Sequence, residues 1–221
     1  MTIKTITLIT ILFLFSNCKT DDCIVNNLIP EYGRQKKCQD LIDTDNKFLE
    51  TCDANFENRK EASEYHIQRG WDFFYKNQLD TSMMRFNQAW LLDSTNADIY
   101  WGFGNILGRQ QKFKESLTYF EKSVAINGKN SKVWQCYATS YGQLYFQTKD
   151  ISLLYKAIDN LMKSISLDPT NGEAYGQLTA CYTSFTQQDS AKKYLEITDR
   201  LDPKAINPEV RRILNEKKNG L

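Results

Sequence analysis

Five positions in the middle of the chain return after an interval of 34 residues: Gly70, Phe73, Ser82, Phe86 and Ala89 reappear as Gly104, Leu107, Ser116, Phe120 and Ser123. A third copy reads Ala138 and Tyr141, then Ala157, Leu161, Ser164 and Pro169. A fourth reads Thr179, Tyr182, Ala191, Leu195, Thr198 and Pro203. A unit of this length is one helix–turn–helix, which cannot bury its own apolar face. Such units must stack, each against its neighbours, into an elongated solenoid.

The spacing has a physical cause. Small residues at the eighth, twentieth and twenty-seventh positions let the two helices of a unit approach closely. Bulky residues at the fourth, eleventh and twenty-fourth fill the space between that pair and the next. This pattern resembles the tetratricopeptide repeat. The units are 63–96, 97–130, 131–171 and 172–205, with His66, Tyr100, Trp134 and Tyr175 at the fourth position. Asn96, Asn130 and Asn171 fall at the junctions, where Asn suits turns and helix caps. The resemblance implies an all-α, right-handed helix–turn–helix solenoid of about four repeats. The third unit has 41 residues, seven more than the others. Seven residues is almost two helical turns, so its first helix can lengthen in phase, leaving Gln143–Lys149 protruding. Residues 31–60 are expected to form an N-terminal helical cap of one or two helices. Residues 206–221 hold a capping helix that starts at Asn207-Pro208-Glu209 and carries Val210, Ile213 and Leu214 on one face.

The first residues read as an address. Lys4 precedes an apolar run from Ile6 to Phe15. That run is far shorter than the roughly 20 residues that span a bilayer, and with its polar exit it reads as a secretory signal over residues 1–17. The exit, Leu14-Phe15-Ser16-Asn17-Cys18, resembles the lipobox of bacterial lipoproteins, with Asn17 where Gly, Ala or Ser is usual. The resemblance implies cleavage before Cys18, lipidation of Cys18, and a tether over residues 18–30 to the bacterial outer membrane. Two or more acyl chains give stable anchoring without a transmembrane helix. Lys19-Thr20-Asp21-Asp22 loosely resembles a surface-export tag of Bacteroidetes lipoproteins. The other reading is an ordinary cleaved signal, a soluble periplasmic or secreted product, and Cys18 available for a disulfide.

An export signal implies an oxidising compartment. Of the six cysteines, Cys136 and Cys181 fall inside repeat helices and read as small buried hydrophobes. Cys23, Cys38 and Cys52 cluster before the repeats, where one pair is expected. If residues 38–52 form one helix, Cys38 and Cys52 stand about 21 Å apart and cannot bridge. If Asp43-Thr44-Asp45-Asn46 is a turn, two antiparallel helices bring them together. No CxxC spacing occurs, which argues against redox catalysis and zinc binding.

In the tetratricopeptide family the first helices line a concave groove. Transferred here, the resemblance implies groove positions at Trp71, Phe74 and Tyr75 in the first unit and at Trp101, Asn105, Gly108 and Arg109 in the second. The third contributes Lys132, Gln135, Thr139, Gly142 and Gln143, and the fourth Gly176, Ala180 and Ser184. Trp71 and Trp101 are rigid anchors of the kind enriched at interface hot spots, with Arg109 a fork donor beside them. Alternatively the N-terminal helix lies over Ile67, Trp71 and Phe74 and makes them core. The carboxylate-clamping subfamily has Lys and Asn where this chain has Ile67 and Trp71, so Asn105 alone does not carry that activity.

His66, the only histidine, sits at a packing position, and no nucleophile elbow, zinc helix or Walker loop occurs. No catalytic residue, cofactor or metal is therefore expected. Charges balance at 28 Lys+Arg against 27 Asp+Glu, which excludes bulk nucleic-acid binding. The balance hides a polarity, since residues 18–96 carry 10 against 14 and residues 97–221 carry 17 against 13. These features point to a lipid-anchored adaptor or scaffold of the cell envelope that binds a protein or peptide. A structural part of an envelope assembly, or a lipoprotein that binds a glycan or small ligand, are the rival readings.

Overall fold

The computed structural model describes residues 26–218. The lipobox, the proposed lipid site Cys18, Cys23 and the rest of the signal segment lie outside the described residues. Among the described residues ten α-helices and no strand occur. After α1 (Gln39–Asn55) come α2 (Arg59–Tyr75) with α3 (Leu79–Leu92), and α4 (Ala97–Arg109) with α5 (Phe113–Ile126). Then follow α6 (Ser131–Thr148) with α7 (Ile151–Leu167), α8 (Gly172–Ser184) with α9 (Gln188–Leu201), and α10 (Pro208–Lys218). Each pair packs closely within itself and then on the next. Consecutive first helices, α2, α4, α6, α8 and α10, touch one another, whereas no comparable contact joins consecutive second helices. The first helices therefore line the inner side of the stack and the second helices splay on the outer side.

Each first helix starts at an asparagine. Asn58, Asn96, Asn130 and Asn171 accept hydrogen bonds from first-turn amides at 3.0–3.1 Å. Such a cap contributes about 1 kcal/mol by satisfying an orphan N–H. The turns inside three pairs also share one geometry. Asn77, Gln111 and Thr186 adopt left-handed φ of 57°, 61° and 59°. The next amide in each closes on a carbonyl in the last turn of the first helix, as in Gln78 N to the Phe73 carbonyl at 2.9 Å. This is a Schellman closure, which satisfies the last carbonyls of the first helix.

The small positions work as the spacing requires. Phe86 is wholly buried between two glycines: a Cβ on Gly70 would lie 2.8 Å from its ring, and one on Gly102 of the next unit 2.3 Å from it. Gly104 repeats the arrangement against Phe120. Where the small residue is serine, its hydroxyl finds a backbone carbonyl. Ser82 Oγ donates to Gly70 O at 2.8 Å, and Ser123 Oγ to Ala97 O at 2.9 Å. Close helix approach and polar satisfaction are thus met by the same residue.

One segment differs from the sequence expectation, and another takes one of the two readings left open. The seven additional residues of the third unit lengthen both of its helices, not the first alone. α6 and α7 have 18 and 17 residues, against 13 and 14 in α4 and α5. Asp150 causes the split, because its carboxylate accepts from Ser152 N at 2.9 Å and starts α7 early. At the other end, residues 39–55 are one helix. Cys38 caps its start and Cys52 lies one turn from its end, too far apart to pair. Cys38 is disulfide-bonded, while Cys52 is a free, buried thiol.

Candidate functional site

The inner face carries two chemically different stretches. The first is aromatic. The Trp71 and Trp101 ring centroids are 4.5 Å apart, and Trp71 also meets Phe74 at 5.4 Å, Tyr75 at 6.0 Å and Phe86 at 5.3 Å. Phe74 is buried, the two tryptophans are half-buried, and Tyr75 is 75% exposed. Helix α1 does not cover them. Its Phe48 meets His66, and Phe56, just past its end, meets Tyr65, both in the first half of α2. Each tryptophan thus packs on a buried core while staying partly exposed.

Arg109 sits over the Phe74 ring at 5.3 Å, and no carboxylate among the described residues pairs with it. A guanidinium braced on an aromatic face keeps its donors oriented for a planar anion. Asn105 Nδ2 donates to Trp101 O at 2.8 Å, which leaves its carbonyl oxygen for another donor. Lys132 is exposed. Gln135, in contrast, is buried and committed: its Nε2 donates to Glu173 Oε2 at 2.9 Å, and its Oε1 accepts from Asn171. Gln135, named from sequence as a groove residue, thus joins units three and four.

Between α4 and α6 a cavity of about 520 Å³ opens beside Arg109. Asn105, Thr139, Gln143 and Gln147 supply its polar wall, and Phe74 and Phe120 its apolar one. Gly108 makes room there, since a Cβ on it would meet nothing within 4 Å. Thr139 and Gln143 are groove positions in the repeat register. Gln147 is not, because it belongs to the additional turn of α6. A second, smaller cavity of about 260 Å³ lies between α6 and α8. Phe146, Leu154, Ala180 and Val210 make it apolar. Its far wall includes Ala205, whose carbonyl carbon and oxygen press against Gly176, where a Cβ would come within 2.4 Å.

Burial shifts three titratable side chains among the described residues. His66 is buried between Phe48 and Tyr65, each ring at 5.3 Å. Desolvation, helped by the nearby Arg85, drops its pKa to about 4, so it is neutral at pH 7. Burial raises the thiol of Cys136 and pushes that of Cys181 up to about 12. Both remain protonated, and a protonated thiol is a poor nucleophile and a poor metal ligand. Among the described residues no His/Cys/Asp/Glu cluster could hold a metal ion, and no helix is long and apolar enough to cross a membrane.

A tetratricopeptide repeat family model matches residues 97–130. No curated protein matches the sequence. Solved structures do resemble the fold. PilF of Pseudomonas aeruginosa superposes with a TM-score of 0.61 at 20% identity, covering 73% of this chain and 71% of that one. TTC0263, a tetratricopeptide protein of Thermus thermophilus, gives 0.59 at 17% identity over 70% and 80% of the two chains. The first tetratricopeptide domain of Spaghetti (RPAP3), bound to the HSP90 peptide SRMEEVD, gives 0.51 at 17%, over 57% and 95%. The chain thus carries a tetratricopeptide repeat in its second unit and folds as a solenoid of such helix pairs.

Proposed function

We propose that this protein is a non-enzymatic adaptor that holds an extended protein segment along its inner face, between the Trp71–Trp101 pair and the cavity at Arg109. The observation that carries the reading is the junction of those two features. A half-buried aromatic shelf meets an unpaired guanidinium and an amide-lined cavity of about 520 Å³. Aromatic side chains offer rigid contact area at low entropic cost, and Arg, Asn and Gln read backbone amides and carboxylates. The HSP90 peptide held by a structural neighbour supports a peptide as the ligand class. Lipidation at Cys18 would hold this adaptor at the outer membrane of a bacterium, facing the periplasm or the surface.

The test is selection of binding peptides from a displayed random library against the full chain. Peptides recovered on the wild-type protein should lose at least tenfold in affinity on Arg109→Glu and on Trp71→Ala. Affinities that both substitutions leave unchanged would remove the groove from the account. Mass spectrometry of the N-terminus of the exported protein tests the address, since an unmodified Cys18 rejects the anchor. A second reading, a structural part of an envelope assembly, draws on the tip of the lengthened third unit. There Phe146 and Tyr155 are each 55% exposed, and Ile151 45%. Replacing all three with serine should abolish assembly, and leave groove peptides bound, if that tip is the working surface.

A further inference from the structure

The outer side of the solenoid is not bare. Before α1 the chain runs across α3 and α5 as a short strap, residues 27–34, with no regular helix of its own beyond the tight turn Pro30–Arg34. Its contacts are few and specific. Asn87 of α3 is fully buried, and its Nδ2 donates to the carbonyls of Asn27 at 3.0 Å and Ile29 at 2.9 Å. Lys122 of α5 reaches the carboxylate of Glu31 at 2.8 Å, and Arg34 closes on the same carboxylate from the strap itself. Lys122 is held 4.7 Å over the Tyr119 ring, and Tyr32 lies 6.4 Å from Trp90. Glu31 is only 2% exposed.

Two features set this strap apart from a fixed part of the core. Glu31, Tyr32 and Arg34 all hold left-handed φ, 53–56°. For non-glycine residues that conformation costs about 1–2 kcal/mol each, which is recovered only while the strap is docked. The seat is also imperfectly filled, because Asn87 Oδ1 is buried with no hydrogen-bond partner. An unpaired buried acceptor is a standing penalty that an incoming N–H would relieve.

We propose that the outer cleft between α3 and α5 is a second peptide-docking surface, and that residues 27–34 occupy it as a displaceable internal ligand. The partner it fits is an extended protein segment with a carboxylate placed after two accessible backbone carbonyls. Asn87 reads the carbonyls and offers its free oxygen to a partner amide. Lys122, braced by Tyr119, reads the carboxylate. A partner with ordinary extended backbone makes these contacts without the left-handed turn. Burial alone would raise the Glu31 carboxyl, but hydrogen bonds from Arg34 and Lys122 outweigh it and hold the carboxyl below its ordinary range, as a cationic seat requires.

The probe is a fluorescein-labelled peptide with the sequence of residues 26–36, titrated into the full chain by fluorescence anisotropy. Glu31→Gln weakens the strap in cis, so that variant should bind the peptide at least tenfold more tightly than the wild-type chain does. Adding Lys122→Ala should then weaken binding at least fivefold. Lys122 is partly exposed on α5, and an unchanged melting curve checks its fold. Arg109→Glu on the inner face should leave the peptide bound, which separates this surface from the groove. The proposal is overturned by absence of saturable binding to the Glu31→Gln chain, by indifference to Lys122→Ala, or by loss of binding on Arg109→Glu. It is likewise overturned if the amides of Ile29 and of residues 31–34 exchange hydrogen only as slowly as those of α3 and α5. Amides there that exchange at least a hundredfold faster support a strap that opens on its own.

Discussion

The junction between the first and second units is sealed, whereas the junction between the third and fourth is open, although the same repeat pattern builds both. At the first, Gly70 and Gly102 close on Phe86 from two sides, and Trp71 and Trp101 roof it. At the other, the corresponding groove positions are Thr139, Gly142 and Ala180, and an apolar cavity of about 260 Å³ remains. The small positions fix how near the helices come. The groove positions then decide whether the space above them is filled. Fold and site are therefore encoded in separate registers of the same helix, which lets a solenoid keep its architecture while its inner surface varies.

The sharpest way to break this contrast is to empty the sealed junction. Phe86→Ala removes a wholly buried ring that touches Trp71 and Phe103, and should cost about 4 kcal/mol in urea unfolding. Tyr155→Ala, at an exposed ring on the third unit, should change stability by less than about 1 kcal/mol. Equal costs would mean that the two junctions contribute alike.

A pair of glycines tests the same point from the opposite direction. Gly102→Ala places a methyl group 2.3 Å from the Phe86 ring and should destabilise by about 3 kcal/mol through overpacking. Gly142→Ala meets nothing within 4 Å. It should stabilise by about 0.5–1 kcal/mol, because alanine is the better helix former. Thermal melts of the two variants should therefore move in opposite directions.

The sealed end also carries the pH-sensitive group. The folded pKa of His66 is about 4, against the ordinary 6.5, because burial disfavours its charge. Its contribution is fully present above pH 6.5 and is lost as pH falls from 6.5 towards 4, because only the unfolded chain accepts the proton there. The loss amounts to as much as about 3 kcal/mol, and levels off below pH 4. His66→Phe keeps the aromatic packing. The stability difference between wild type and this variant should shift in the variant's favour across that window, and a difference independent of pH would reject the assignment.

How much of this was legible from sequence follows from the same two registers. Period and small-residue spacing act through local helix geometry, so the solenoid and its asparagine caps could be read from the chain. That Trp71, Trp101 and Arg109 fall on the first helices of their units could be read as well. The commitment of Gln135 to Glu173 could not, because it depends on a neighbour 38 residues away. Nor could the path of the strap, since no periodic signal marks residues 27–34 and Asn87 looks like any polar position on a second helix. Gln147 reaches the cavity because α6 runs past the ordinary repeat length, and which side of that extension faces α4 is set by tertiary packing.

The smallest effect concerns the turns inside the pairs, where the two ends of the solenoid differ again. Asn77 turns the first pair, Gln111 the second and Thr186 the fourth, all with left-handed φ near 60°. Asparagine tolerates that conformation, whereas a β-branched side chain crowds the backbone there. The first pair is thus closed by a suited residue and the fourth by a strained one. Thr186→Gly should stabilise by about 1 kcal/mol, after the entropy that glycine adds to the unfolded chain has offset part of the relieved strain. Asn77→Gly should move stability by no more than a few tenths of a kcal/mol, because little strain is present to relieve. Hydrogen exchange of the Gln187 and Gln78 amides, which close the two turns on Tyr182 and Phe73, reads each effect where it arises. Slower exchange at Gln187 in Thr186→Gly, with Gln78 unchanged in Asn77→Gly, is the expected pattern. Equal slowing in both would show that left-handed strain is shared evenly along the stack.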